Sequence, residues 1–242
     1  MENLIFGIRP VAEAIEAGRG IDRVFFRKGA EGQLIGELRG LCRRRGINVQ
    51  EVPEQKLDRL VKGHHQGIVA QMAAIEYVTL EDVLAAVPAD ETPLVVVLDG
   101  VTDVRNFGAI ARSAQCAGAH GIIVPAKNGA PVNAESIRSS AGALTRIAVC
   151  RTGSVRNAVK SLQIAGLQVV AATEKSSKVL FDADMTRPTA IVLGNEEKGI
   201  SREVLKLCDE QLAIPMVGEV QSLNVSAAAA VMLFEVVRQR IC

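Results

Sequence analysis

Residues 94–125 read L-V-V-V-L-D-G-V-T-D-V-R-N-F-G-A-I-A-R-S-A-Q-C-A-G-A-H-G-I-I-V-P. The first run is apolar without alternation, which predicts a strand buried on both faces, as in a parallel sheet. A polar loop and a helical pattern over 107–118 follow, and 121–125 is a second apolar run. This is a strand–helix–strand unit. The same pattern continues with LQVVAA (167–172), TAIVLG (189–194) and QLAIP (211–215), separated by predicted helices over 134–143, 154–165, 201–208 and 225–240. Strands and helices in this order predict a doubly wound α/β sheet, whose ligand site belongs at the carboxyl ends of the strands.

The first 75 residues form shorter units. A helix opens at Pro10, and further helices are predicted over 33–45 and 54–60, with strands over 22–27, 48–52 and 67–73. From 76 to 92 there is one weak helical pattern, 80–86, then Pro88 and an acidic patch, which reads as a linker. The expected division is therefore 1–75, a small α/β domain; 76–92, a linker; and 93–242, the parallel-sheet domain.

Composition narrows the function. The longest apolar run, 227–234, is too short for a membrane span, and the start M-E-N-L-I-F-G lacks the basic region of a signal peptide. Five widely spaced cysteines with no C-x-x-C argue against zinc and for a reducing cytoplasm. Lys and Arg exceed Asp and Glu by 12 to 9 over residues 1–75, whereas 76–242 hold 16 against 18. With 3% aromatic residues and no Trp, a base-stacking platform is not expected.

Three segments place polar residues between a strand end and a helix start. In D-G-V-T-D-V-R-N-F-G-A-I-A-R-S-A (99–114), Asn106 and Arg112 are either an N-cap and a surface arginine or site residues. The segment G-N-E-E-K-G-I-S (194–201) nearly matches a phosphate loop, but Ile200 stands where the lysine belongs, and Glu196 and Glu197 would repel polyphosphate. The third, I-P-M-V-G-E-V-Q-S-L-N-V-S-A-A-A-A-V (214–231), has Ser222, Asn224 and Ser226 before one helix, more caps than that helix needs. Its alanines permit close approach of another backbone. Elsewhere, His64-His65-Gln66-Gly67 and Arg43-Arg44-Arg45 are candidate RNA contacts, the latter also readable as a solvated helix end.

Together, in order and at these separations, the three segments resemble the SpoU (TrmH-type) RNA ribose 2′-O-methyltransferases over residues 94–240. The N-terminal block, with H-H-Q-G-I-V-A, further resembles the substrate-binding domain of the RlmB-type 23S rRNA guanosine-2′-O-methyltransferases, a domain similar to ribosomal protein L30e. The resemblance implies an α/β trefoil knot, a homodimer whose interface includes the C-terminal helix, and S-adenosyl-L-methionine as methyl donor, with no metal. It implies cofactor binding through backbone groups of Gly194, Ile214 and Leu223, and a catalytic centre of Asn106, Arg112, Glu196, Ser222 and Asn224. Because a guanidinium is always protonated, Arg112 is expected to act as a fixed cation near the ribose O2′ rather than as a base, with Glu196 orienting it. The implied substrate is a guanosine in the P loop of 23S rRNA, free or in a ribosomal precursor. Alternatives are a tRNA ribose or an RNA-binding assembly role without catalysis.

Overall fold

The computed structural model describes residues 4–220 and 222–241. The chain divides into two compact units, Met1–Glu76 with Pro131–Ala134, and Tyr77–Ala130 with Glu135–Cys242.

In the first unit a four-stranded sheet has the order β1 (Leu4–Phe6), β4 (Ile68–Met72), β2 (Ile21–Arg27), β3 (Asn48–Val52). Strands β2 and β3 are parallel, and β4 runs antiparallel to both β1 and β2. Alternation along β2 sends Val24 and Phe26 to one face and Phe25 to the other. Helices α1 (Ile8–Glu16) and α2 (Gln33–Arg44) cover the first face through Val11, Ile15, Leu38 and Cys42. Helix α3 (Glu54–Leu60) covers the second, packing Leu57 on Phe25, Val52 and Val69.

The second unit is built on a six-stranded, wholly parallel sheet of order β10 (Glu210–Leu212), β8 (Gln168–Ala172), β9 (Thr189–Gly194), β5 (Leu94–Asp99), β6 (Gly121–Pro125), β7 (Ala148–Thr152). Val95, Val97, Val169, Ala171, Ala190 and Val192 face helix α7 (Val155–Ile164), which contributes Val155, Ala158, Val159 and Leu162. Alternate residues Leu94, Val96 and Leu98 are equally buried. On their side lie α5 (Val104–Cys116) and α9 (Val225–Ile241), packed on each other. Each fully buried Val or Leu of this sheet contributes roughly 1.5–3 kcal/mol. The chain leaves β5 toward β6 and leaves β9 toward β10, so the crevice between β5 and β9 is a topological switch point.

Several elements differ from expectation. The segment read as a linker packs into the second unit: α4 (Leu80–Ala85) is closed at its start by a Thr79–Asp82 capping box and drives the fully buried Val83 into the α7-side core. One apolar contact in a six-residue helix leaves little periodicity to read. Strands β1 and β7 have no counterpart in the sequence reading, because L-I-F and A-V-C-R-T are too short or mixed to show a period. Helix α6 (Ala134–Ser139) stops early, since Ala141 and Gly142 take φ 50° and 83°. Helix α8 (Arg202–Leu205) is a single turn, and α5 begins at Val104 rather than Phe107. No helix among the described residues is long and apolar enough to cross a membrane.

Candidate active site

Asp103 starts α5. Its carboxylate accepts from the backbone N–H groups of Arg105 at 2.8 Å and Asn106 at 3.0 Å, and these bonds, Asn106 first, hold its carboxyl below the usual range. Asn106 is therefore not the cap, and its amide is free to reach across the switch point. Its Nδ2 donates to Glu196 Oε1 at 2.5 Å.

Glu196 stands on the loop after β9. Gly194 opens this loop because a Cβ there would lie 2.2 Å from Gly199 C and Ile200 N, a distance no side chain tolerates. The backbones of Asn195 and Gly199 pair in both directions, and Gly199 turns the chain at φ 69°.

Asn224 supplies the third part. Its Oδ1 accepts from Ser226 N at 2.9 Å, the N-cap bond of α9, and from Ser226 Oγ at 2.6 Å. Its Nδ2 donates to Glu196 Oε1 at 2.7 Å and to Asn106 Oδ1 at 3.2 Å. One asparagine thus caps the helix and joins the cluster. Asn106, Glu196 and Asn224 come together from positions 118 residues apart.

Beside them opens a cleft of about 200 Å³. It lies between the carboxyl ends of β8, β9 and β10 and the start of α9. Leu193, Leu212, Ile214, Met216, Leu223 and Val225 give it apolar wall, and Thr173 and Ser222 add hydroxyls. Glu174, Glu196 and Glu197 outnumber Lys175 and Lys198 around it. The proposed cofactor residues Gly194, Ile214 and Leu223 all line this cleft, as does Ser222.

Arg112 is not brought to the cluster. It is exposed on α5, roughly 9 Å along the axis from Asn106 and about 120° around it. No hydrogen bond joins it to Glu196, whose Oε1 is taken by two asparagine amides. The contact by which Glu196 was expected to orient Arg112 is not among the side-chain hydrogen bonds of the described residues.

The family of SpoU rRNA methylases matches residues 93–234, and the family described as RNA 2′-O ribose methyltransferase substrate binding matches residues 4–78. An uncharacterized tRNA/rRNA methyltransferase of Mycolicibacterium smegmatis is 39% identical over 240 residues, 98% of this chain and 76% of that protein. YacO of Bacillus subtilis, a TrmH-family tRNA/rRNA methyltransferase by name, is 34% identical over 237 residues, 98% of this chain and 95% of that one. The crystal structure of the SpoU methyltransferase AviRb from Streptomyces viridochromogenes, in complex with the cofactor AdoMet, superposes with TM-score 0.62 at 32% identity, covering 99% of this chain and 91% of AviRb. The chain belongs to the SpoU family of RNA 2′-O-ribose methyltransferases.

In this SpoU protein the H-H-Q-G motif of the first unit is half internal: His65 and Gly67 are buried, His64 and Gln66 exposed. His65 is buried, with Nδ1 accepting from Gly67 N at 2.9 Å; the proton therefore sits on Nε2, which donates to Asp58 Oδ1 at 3.0 Å. Gln66 takes φ 52° and its Oε1 accepts from Ile8 N at 3.1 Å, serving the start of α1. Both ring nitrogens of His65 are thus taken within the turn, whereas Gln66 is exposed and uses its Oε1 for the start of α1. His64, Arg43 and Arg44 are exposed.

The buried thiols of Cys42 and Cys150 are pushed up to about 11 and that of Cys208 to about 12, all by desolvation, which makes them inert at neutral pH. Cys116 is exposed, and Cys242 lies outside the described residues. No group of three His, Cys, Asp or Glu among the described residues is placed to hold a metal. Sequence reasoning misses Asp103, Asn195 and Asp99, whose signal was only their position at strand ends and helix starts.

Proposed function

We propose that this SpoU methyltransferase transfers the methyl group of S-adenosyl-L-methionine to a ribose 2′-hydroxyl of a guanosine in the P loop of 23S rRNA, in the cytoplasm. The observation that carries the reading is the convergence of Asn106, Glu196 and Asn224 beside a cleft whose donor set suits such a cofactor. An apolar wall accepts the adenine, and the surplus of carboxylates fits a cationic ligand and rejects a polyphosphate. Backbone groups at Gly194, Ile214 and Leu223 would hold it.

When bound, the cofactor supplies a methyl group on a positively charged sulfur, already a strong electrophile. The chain's own task is to align the ribose oxygen and lower the cost of its negative charge. The Asn106–Glu196–Asn224 cluster and the Ser222 hydroxyl position the ribose. Arg112 stays a cation, stabilising the developing charge on O2′ and holding the adjacent phosphate.

Arg112 is too far round α5 to do this for its own cluster, so we infer a homodimer in which a second copy presents it. The uncovered face of α9 supports the inference: Phe234 is 48% and Ile241 78% exposed, on the same helix side as Ala227. RNA capture falls to the first unit, domain 1–75, with Arg43, Arg44 and His64 as phosphate contacts.

The names of the relatives support a second substrate reading, since both are described as tRNA/rRNA methyltransferases. Labelled S-adenosyl-L-methionine incubated with rRNA, ribosomal precursors and tRNA from cells lacking the gene decides between them, followed by mapping of the methylated nucleotide. Label in the 23S P loop is expected. Label only in tRNA would move the assignment to a tRNA ribose, and no saturable heat with the cofactor in calorimetry would leave an RNA-binding assembly factor.

A further inference from the structure

Asn195 is the first residue after β9, and both ends of its side-chain amide are bonded. Nδ2 donates to the Gly100 carbonyl at 2.9 Å, and Oδ1 accepts from the backbone N–H groups of Glu197 at 3.0 Å and Lys198 at 3.1 Å. A single amide thus closes the loop that carries Glu196 and ties it to the turn leaving β5. Gly100 takes φ 84°, a left-handed conformation that L side chains rarely adopt, while space is not limiting, since an added Cβ would make only ordinary contact at 3.6 Å with the Cβ of Asn195. The far end of the loop is staked to the same turn, because Ser201 N donates to Asp99 Oδ2 at 2.7 Å. Asn106 lies just beyond that turn, so both partners of the Asn106–Glu196 bond stand on segments that Asn195 holds together.

The geometry points to Asn195 as a positioning residue for methyl transfer: it fixes the 194–199 loop on the β5–α5 turn so that the Glu196 carboxylate meets Asn106 and Asn224. The assignment rests on the methyl-transfer reading of the site. A residue that only closed its own loop would need only an acceptor for the two N–H groups, a task Asp performs as well as Asn. The donor to Gly100 is what an amide adds, and Asn195→Asp removes it while setting a carboxylate against a carbonyl oxygen.

The test uses the full chain as wild type, Asn195→Ala, Asn195→Asp, Glu196→Gln, and the Asn195→Ala/Glu196→Gln double variant. Amide hydrogen exchange at Glu197 and Lys198 and single-turnover transfer on rRNA and tRNA are measured for each. Asn195→Ala is expected to speed exchange at both amides and to slow transfer, each by at least about tenfold. Asn195→Asp keeps the exchange protection yet loses transfer to a similar extent. The double variant stays within about twofold of the slower single variant, since both changes act through one carboxylate. Wild-type transfer in Asn195→Asp, or losses that multiply in the double variant, overturn the assignment. If the wild-type protein transfers no methyl group to either RNA, the functional reading fails instead; unchanged exchange in Asn195→Ala then overturns the loop-fixing role on its own.

Discussion

At the residue scale, the proposed chemistry divides between Glu196 and Arg112 by charge. Glu196 is an anion held by two amide donors, whereas Arg112 is an exposed cation with no described partner in its own cluster. Arg112→Lys keeps the charge but loses the planar fork that spans an alkoxide and a phosphate. Its transfer rate is expected to fall about a hundredfold with cofactor affinity unchanged, read by single-turnover kinetics and calorimetry; near wild-type turnover would remove Arg112 from the reaction centre. The identities of these residues are legible in the sequence, because each lies in a long motif just after an apolar strand. Their bonding is not. Whether Asn106 caps α5 or faces the site depends on Asp103 taking the cap, a competition between two good capping types three residues apart. His65 shows the converse case, a polar residue whose partners, Asp58 and Gly67 N–H, consume it entirely.

Elements come next, and here the cap of α9 and the proposed reaction centre share one side chain. Asn224 caps α9 through Oδ1 and holds Glu196 through Nδ2. Asn224→Asp retains the cap acceptor and deletes the donor, placing a second carboxylate against Glu196. Transfer should drop at least about tenfold while the cap holds, whereas Asn224→Ala should lose both transfer and about 1 kcal/mol of stability in denaturant titration. The far end of the same helix is fastened differently. The Arg240 guanidinium donates to the carbonyls of Thr92, Pro93, Met185 and Arg187, binding α9 to the segments that enter β5 and β9. Arg240→Ala is expected to cost about 2 kcal/mol, since several carbonyls lose a charged donor at once. Apolar runs made the central strands readable; nothing in the sequence announces that a near-terminal arginine anchors two strand entries, because its partners are carbonyls without side-chain identity.

Acid sensitivity belongs to the same scale. The carboxyls of Asp103 and Glu235 are held low, the first by backbone N–H groups of α5 and the second chiefly by the Arg238 side chain. A carboxyl whose folded pKa lies below its unfolded one stabilises the protein above the ordinary carboxylate value, about 4, and that contribution fades as pH falls through the depressed folded value. Melting temperature should therefore decline on acidification below about pH 4, and Asp103→Asn should flatten that decline. A profile unchanged by the substitution would mean that the α5 start adds no pH-dependent stability.

For the whole molecule, the parallel sheet and five of its six strands follow from apolar runs, but the sixth, β7, and the order and threading do not. An apolar run records that both faces are covered and says nothing of which neighbour lies beside it or which loop the chain passes through. The knot implied by the family resemblance thus has no trace in periodicity, and neither does the proposed second copy of the chain. The proposed dimer rests on where Arg112 stands: the proposed chemistry asks for it at O2′, yet it lies about a third of a turn around α5 from Asn106. If a second copy supplies it, each active centre joins Arg112 of one chain to Glu196 and Asn224 of the other. Arg112→Ala and Asn224→Ala, each inactive alone, should then complement when co-expressed. A heterodimer would contain one centre with both residues intact, so a random equal mixture should recover about a quarter of wild-type transfer. If the centre forms within one chain, every centre in that mixture lacks one residue, and the mixture stays as inactive as its parents.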